Sequence, residues 1–292
     1  MTLTFHPTAK INLTLRVGIA RADGFHDVRT LLQSIDLSDT LTISSKPGPF
    51  ALVCRAGGVP SDRRNLVWRA ADLLWRAAGY PGDPRDARVR LVKRIPSAAG
   101  LGGGSADAAA ALVGLNKLWK TGKSRRDLIA LASQLGSDVP FFLFGGTAMG
   151  IGRGEDLYPV DDIRRLDVVV VAPSIGVATA DAYRWFDEDS ALPPGSTVDR
   201  WMDVGWRTGP VPLRNDLEGP VSRRHPVVAD MIDACRRAGA LTAAMTGSGS
   251  AVFGLFPSGK ARGAVRRLRR ADWRIFLSRT LTRREAGRQI GL

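Results

Sequence analysis

Pro96-Ser97-Ala98-Ala99-Gly100-Leu101-Gly102-Gly103-Gly104-Ser105-Ala106-Asp107 is the stretch on which the reading of this 292-residue chain turns. It leaves an alternating segment, Ala87–Ile95, and enters an alanine-rich run over about 105–120, so it reads as strand, loop, helix. Four glycines in five positions remove the Cβ atoms that keep a ligand from the backbone, and they admit positive φ. Successive N–H groups can then converge on an anion, aided by the positive end of the following helix, and a phosphate is the natural occupant. The plainer alternative is a packing turn that lets the helix lie close to the sheet. Neither of the two commonest phosphate-loop patterns applies. From Gly100 the register of G-x-G-x-x-G ends on Ser105, and Gly254-Leu-Phe-Pro-Ser-Gly259-Lys260-Ala261 lacks the final hydroxyl that would meet Mg²⁺.

Upstream, residues 10–17 alternate strictly. Ile11, Leu13, Leu15 and Val17 point one way and Lys10, Asn12, Thr14 and Arg16 the other, which predicts a half-buried strand with a polar row. Arg21-Ala-Asp-Gly24 carries an Asp-Gly hairpin turn, directly followed by Phe25 and His26. Strands are expected at about 39–44 and 50–55, then a helix, Asn65–Ala78, closed by Gly79 and Pro81. Downstream a helix covers about 125–135. The apolar run Phe141–Phe144, with glycines 145, 146, 150, 152 and 154 behind it, reads as short strands and turns. A buried strand at Leu166–Ala172 precedes helices near 179–187 and 226–238. A strand, glycine loop and strand follow at 241–256, then a basic helix at 260–270 and a strand near 273–281. The fold class is α+β, with two domains, 1–158 and 159–292.

The formal charge is +14, and +9 of it falls after residue 259, where eleven Lys and Arg face only Asp272 and Glu285. No aromatic residue interleaves the 260–270 stretch to stack on bases, so a solvated helix face is the simpler reading than nucleic-acid binding. Cys54 and Cys235 make no disulfide framework, and His6, His26 and His225 form no metal cluster with them. The first residues lack an apolar core of the signal-peptide kind, and no apolar run approaches a membrane span. We expect a cytoplasmic protein, a monomer or homodimer, with neither a membrane nor a nucleic acid as partner.

Three segments resemble, in order and spacing, the motifs of the GHMP kinases, which phosphorylate small metabolites with ATP. They are Pro7-Thr-Ala-Lys10-Ile-Asn12-Leu, the Pro96–Asp107 loop, and Met245-Thr-Gly-Ser-Gly-Ser-Ala-Val-Phe-Gly254. The resemblance implies a two-domain fold, with an N-terminal domain like domain 2 of ribosomal protein S5, a ferredoxin-like C-terminal domain, and the active site in the cleft between them. It implies Lys10 and Asp138 as catalytic residues. ATP would rest on Pro96, Ser97, Ala98, Ala99, Gly100, Leu101, Gly102, Gly103, Gly104, Ser105 and Ala106, with Asn65 toward its adenine. Arg21-Ala-Asp-Gly-Phe-His26-Asp, Gly136-Ser-Asp138-Val-Pro-Phe-Phe142 and Gly152-Arg-Gly-Glu155 favour the branch whose small-molecule acceptor carries a cytidine diphosphate group. Phe25, His26 and Tyr183 would then hold the cytosine and Asn12 would orient the acceptor.

Each of these residues has a simpler reading: Asp138 as a helix cap ahead of Pro140, Lys10 as an exposed strand lysine, Asn65 as a helix cap, and the aromatics as core. As a base, Asp138 is expected to be partly desolvated by the apolar run behind it. Ala98 and Ala99 stand where many members of the family carry glycine, which restricts backbone approach. For Mg²⁺ the sequence offers Ser105, with the metal otherwise held by ATP phosphates and water. A GHMP kinase for homoserine or a mevalonate-pathway intermediate, and a basic RNA-binding protein, are the competing readings.

Overall fold

The computed structural model describes residues 1–189 and 213–292. In chain order the elements are β1 (Thr2–Phe5), β2 (Thr8–Ala20), β3 (His26–Ser38), β4 (Thr40–Pro49), β5 (Ala51–Cys54), α1 (Leu66–Ala77), β6 (Arg85–Val92), α2 (Gly103–Trp119), α3 (Arg125–Leu135) and α4 (Val139–Phe144). There follow β7 (Thr147–Ile151), β8 (Asp156–Pro159), β9 (Leu166–Pro173), α5 (Thr179–Asp189), β10 (Arg214–Asn215), α6 (Glu218–Arg224) and α7 (Val227–Arg237). The chain closes with β11 (Thr242–Met245), β12 (Val252–Pro257), α8 (Ala261–Arg267), β13 (Trp273–Arg279) and α9 (Arg283–Gln289).

Three sheets organise these elements, in the orders β1-β4-β6-β5, β10-β2-β3-β7-β8 and β11-β12-β9-β13. Every neighbouring pair in the third is antiparallel, and its order is that of a ferredoxin-like βαββαβ unit. The first sheet packs its inward residues, among them Leu41, Ile43, Val89 and Leu91, against α1 to α4. Ile11, Leu13, Leu31 and Ile35 of the second sheet meet Val168, Val170, Phe253 and Leu255 of the third in a shared cluster. On the other side of the third sheet α7 contributes Val228, Met231, Ile232 and Cys235, one stripe at i, i+3, i+4, i+7. Helix α1 presents the same stripe with Val67, Ala70, Ala71 and Leu74. After β9 the chain does not stay with the third sheet: β10 pairs with β2, and α9 packs on α4 and β3. Among the described residues no helix is long and apolar enough to cross a membrane.

Several local expectations are corrected. The polar row of β2 is not half-exposed: Lys10, Asn12 and Thr14 are all buried, because that face lines a cleft instead of open solvent. Phe141–Phe144 is helical, in α4. Pro140 occupies its first turn and Gly145, at φ 66°, ends it, and a six-residue helix buried on nearly every side leaves no period to read. The long strand β3 was not anticipated because it lies between β2 and β7 and is covered on both faces, which erases alternation. The basic helix is only seven residues long. Its last residue and those that follow are braces: Arg267 donates to the Ala238 carbonyl, Arg270 lies over Trp273 and Arg274 over Phe276.

Helix α2 is the centre of the first lobe. Ala106 and Ala108–Ala111 are fully buried, and small side chains let its axis approach the sheet. At Gly114 a Cβ would lie 2.4 Å from Ile43 Cδ1 and 2.5 Å from Phe5 Cε2. Gly114→Val is therefore expected to destabilise the fold by about 1–3 kcal/mol through overpacking, measured by denaturant unfolding with the slope unchanged.

Candidate active site

The backbone of the 96–102 loop alternates in hand. φ is positive at Ala98 (51°), Gly100 (76°) and Gly102 (70°) and not at the residues between. Such alternation turns successive N–H groups toward one point and makes a concave anion nest. Helix α2 starts at Gly103 with no acidic residue in its first turn, so its unpaired first-turn N–H groups add to the same field. Ala98 adopts the left-handed conformation at a cost of about 1–2 kcal/mol. Ala106 is a different case, since its N–H donates to the Gly102 carbonyl and its side chain is in the core.

Two glycine loops meet over the β2 strand. A Cβ on Gly100 would stand 2.0 Å from the Thr246 carbonyl oxygen, and one on Gly247 would stand 3.0 Å from the Gly100 oxygen and 3.2 Å from Lys10 Nζ. One on Gly102 would meet Phe142 Cζ at 2.7 Å and Lys10 Cγ at 3.0 Å. The glycines thus do two things: they shape the nest, and they leave room for one buried lysine. Hydrogen bonds lock the junction, from Lys10 N–H to Leu101 O, from Ala251 N–H to Ala99 O, and from Asn12 N–H to Thr246 Oγ1.

Lys10 points its ammonium at Asn12 Oδ1 (2.7 Å) and Asp138 Oδ2 (3.5 Å). Asn12 donates to Thr30 Oγ1 at 2.8 Å, so its amide is fixed in orientation and holds Lys10. Asp138 precedes α4 but makes no capping hydrogen bond with its side chain, and the side chain is 42% exposed to the cleft. The apolar run behind it is buried and the carboxylate itself is partly covered, in keeping with the expected partial desolvation. Burial, with a smaller contribution from the Asp138 charge, raises the Tyr183 phenol above its ordinary value. Tyr183 therefore faces this centre as a neutral hydroxyl.

His26 is buried at the other end of the cleft. Its Nε2 lies 2.7 Å from Asp187 Oδ1, and its ring stacks on Tyr183, centroids 5.1 Å apart, with Phe186 edge-on. Phe25 is half-exposed at the rim, with the Arg153 guanidinium 5.0 Å from its ring centroid. Asn65 reaches the cleft wall, but its side chain caps α1 by accepting from Val67 N–H and donates to the Pro60 carbonyl. Lys10, Asn12, Phe25, His26, Asn65, Pro96–Ser105, Asp138 and Tyr183 all line a single cleft of about 970 Å³. None of the eleven basic residues after 259 does.

Four further ionisable residues, Lys93, Asp39, Asp107 and Asp187, were not picked out from the sequence. Lys93 pairs with Asp39 and with Asp107, the latter at 2.7 Å, and all three side chains are buried. A signal existed for Lys93: Ala87, Val89 and Leu91 face inward, so the period of two puts a lysine on the buried face at 93. Asp187 closes an acidic helix end and had none. Burial pushes the Asp107 carboxyl up to about 8 against the attraction of Lys93, and its Oδ1 has no hydrogen-bond partner. For Mg²⁺, no cluster of three or more acidic, His or Cys side chains occurs among the described residues. The Ser105 hydroxyl lines the cleft.

Residues 65–146 match the family model for the GHMP kinases N-terminal domain and residues 195–274 that for the C-terminal domain. The chain is 45% identical over 97% of its length to all of a 4-diphosphocytidyl-2-C-methyl-D-erythritol kinase of Pelotomaculum thermopropionicum. A crystal structure of a 4-(cytidine 5'-diphospho)-2C-methyl-D-erythritol kinase superposes with a TM-score of 0.79 at 37% identity, covering 95% of this chain and 99% of that one. A homoserine kinase of Cytophaga hutchinsonii shares the fold, with a TM-score of 0.71 at 19% identity over 96% of this chain and 95% of its own.

The junction and the buried acid each give a test. Gly100→Ala puts a Cβ into a backbone carbonyl, which no rotamer relieves, and is expected to lower stability by about 2 kcal/mol or more in calorimetry. Between the ordinary Asp value near 3.9 and about 8, folded Asp107 keeps a proton that the unfolded chain has released, so this group makes stability fall as pH rises through that window. Asp107→Asn removes the effect, and its stability relative to wild type is expected to improve progressively from pH 5 to 9 in denaturant titrations.

Proposed function

The chain belongs to the GHMP kinase family, and from that premise we propose that it transfers the γ-phosphoryl group of ATP to the 2-hydroxyl of 4-diphosphocytidyl-2-C-methyl-D-erythritol, giving the 2-phosphate and ADP. One observation carries the reading: an anion nest, a Lys–Asp pair and a histidine between aromatic rings line the same cleft. Each suits one part of such a reaction, namely the triphosphate, the reacting hydroxyl and the cytosine.

Asp138 takes the proton of the acceptor hydroxyl. The oxygen attacks the γ-phosphorus, the bond from that phosphorus to its bridging oxygen breaks, and ADP leaves. Lys10, held by Asn12, orients the Asp138 carboxylate and offers a fixed positive charge to the transferring group, while the 98–105 amides receive the phosphates. Because these donors are oriented before substrate arrives, little reorganisation accompanies the transfer. The exposure of Asp138 leaves it open to the acceptor. His26, its Nε2 engaged by Asp187, presents its ring and remaining nitrogen, and Phe25 and Tyr183 supply apolar surface for the base.

Mg²⁺ fits this cleft as a companion of the nucleotide: Ser105 on the loop would offer it a hydroxyl and, with no carboxylate cage among the described residues, phosphate oxygens and water would complete its shell. Bound there it would neutralise charge on the β- and γ-phosphates. We place the domain division near residue 158, the compartment in the cytoplasm, and the working unit as a monomer or homodimer.

A coupled ADP-release assay over a panel of alcohols tests the reading. Turnover is expected with the cytidine diphosphate-bearing polyol and not with homoserine or mevalonate; the reverse order would assign the chain to another branch of the family. Asp138→Asn is expected to lower kcat by about 10²–10⁴ while both ligands still bind, and turnover at the wild-type rate would remove Asp138 as the base.

A further inference from the structure

The steps above use neither Lys93 nor its two acidic partners, yet all three are among the most deeply buried ionisable side chains around the phosphate loop. The side chains of Lys93, Asp39 and Asp107 are 7%, 0% and 3% exposed. Asp39 Oδ2 accepts from the Lys93 ammonium, and its Oδ1 accepts the backbone N–H groups of Arg94 (2.5 Å) and Ile95 (2.8 Å). Those two amides are the last before Pro96, where the chain turns into the loop. Asp107 stands in the second turn of α2, after the chain has left it, and receives the same ammonium on Oδ2 at 2.7 Å. A single Nζ therefore ties the segment before the loop to the helix after it. Gly103, at the start of that helix, keeps this space open, since a Cβ there would lie 3.1 Å from Lys93 Nζ.

Burying a lysine between two acidic side chains is an expensive way to stabilise a fold, and apolar side chains of the same volume generally serve as well or better. What apolar packing does not supply is a fixed distance between two chain segments through directional hydrogen bonds. The nest needs that distance, because its N–H groups converge only while the alternation at Ala98, Gly100 and Gly102 is held. Lys93 and Asp107 also line the cleft.

We propose that Lys93, held between Asp39 and Asp107, is a positioning residue that presets the nucleotide-phosphate loop, so that the anion cradle exists before the nucleotide arrives. The gain lies in the ordering that nucleotide binding no longer has to supply. The proposal rests on the kinase reading above, but it concerns nucleotide affinity alone and leaves the acceptor end of the cleft untouched.

Titration calorimetry with adenylyl imidodiphosphate and, separately, with the cytidine diphosphate-bearing acceptor tests it on the full chain. Asp107→Ala cuts the tie to α2 while leaving the Lys93–Asp39 pair. It is expected to weaken the nucleotide about tenfold or more and the acceptor by less than about twofold. Asp107→Asn keeps an oxygen for the ammonium and is expected to recover nucleotide binding to within about threefold of wild type. Amide exchange in 97–105 should quicken in Asp107→Ala while that of α7 does not. If Asp107→Ala binds the nucleotide as wild type does, or loses both ligands equally, or is not rescued by Asn, the proposal falls. If the wild-type chain itself fails to bind the nucleotide, it is the kinase reading that falls. Should Asp107→Ala not fold, Asp39→Asn, which keeps the acceptor for Arg94 and Ile95 and loses the charge opposite Lys93, is judged by the same nucleotide-against-acceptor split.

Discussion

The carbonyl oxygen of Thr246 occupies the place where a side chain on residue 100 would have to be, 2.0 Å from the position of a Cβ there. The other features of the cleft depend on that contact. It brings the loop between β11 and β12 against the loop between β6 and α2, closely enough that Ala251 N–H reaches Ala99 O and Thr246 Oγ1 reaches Asn12 N–H. Lys10 lies at this junction. Protein interiors are packed to crystal-like density, so a contact of backbone on backbone transmits any displacement directly to the lysine beside it.

Two lysines at the cleft illustrate how burial separates roles. Lys10 has one carboxylate partner, Asp138, and that partner is open to the cleft, so a ligand can approach the pair. Lys93 is enclosed between two buried acidic side chains, which take up its ammonium. The first arrangement leaves chemistry available; the second fixes geometry. Most of the net charge belongs to neither. The basic segment after residue 259 braces the third sheet and the chain's return to the first lobe, with Arg283, for example, donating to the Val160 carbonyl. Its long-range field acts on phosphate-bearing ligands only at a distance.

The parts that could be read from the sequence were those whose physics is local. Glycine spacing in the 96–107 stretch identified an anion loop because the need for positive φ and for missing side chains is written in the residues themselves. Helices α1 and α7 could be read because one face of each is wet, leaving Val67, Ala70, Ala71, Leu74 and Val228, Met231, Ile232, Cys235 as visible stripes. Elements covered on every side lost their period: β3, flanked by two strands, and α4, six residues of apolar core. The β2 polar row was found but given the wrong environment, since alternation states which residues share a face and not what that face meets. Asp138 was singled out through the resemblance, while its half-exposed setting depends on how α4 packs.

The sequence by itself determined the α+β class, the glycine-rich turn between a strand and a helix, and the alternation that puts Lys10 and Asn12 on one face, because each rests on spacing along one or two neighbouring segments. Only the tertiary structure decided what those residues do to one another. Asn12 turned out to hold Lys10, Asn65 to cap a helix, His26 to pair with Asp187, and Lys93 to join Asp39 and Asp107. These are contacts between segments far apart in the chain, with partners brought together by sheet order and close loop packing. No local pattern encodes which distant carboxylate a buried ammonium will meet.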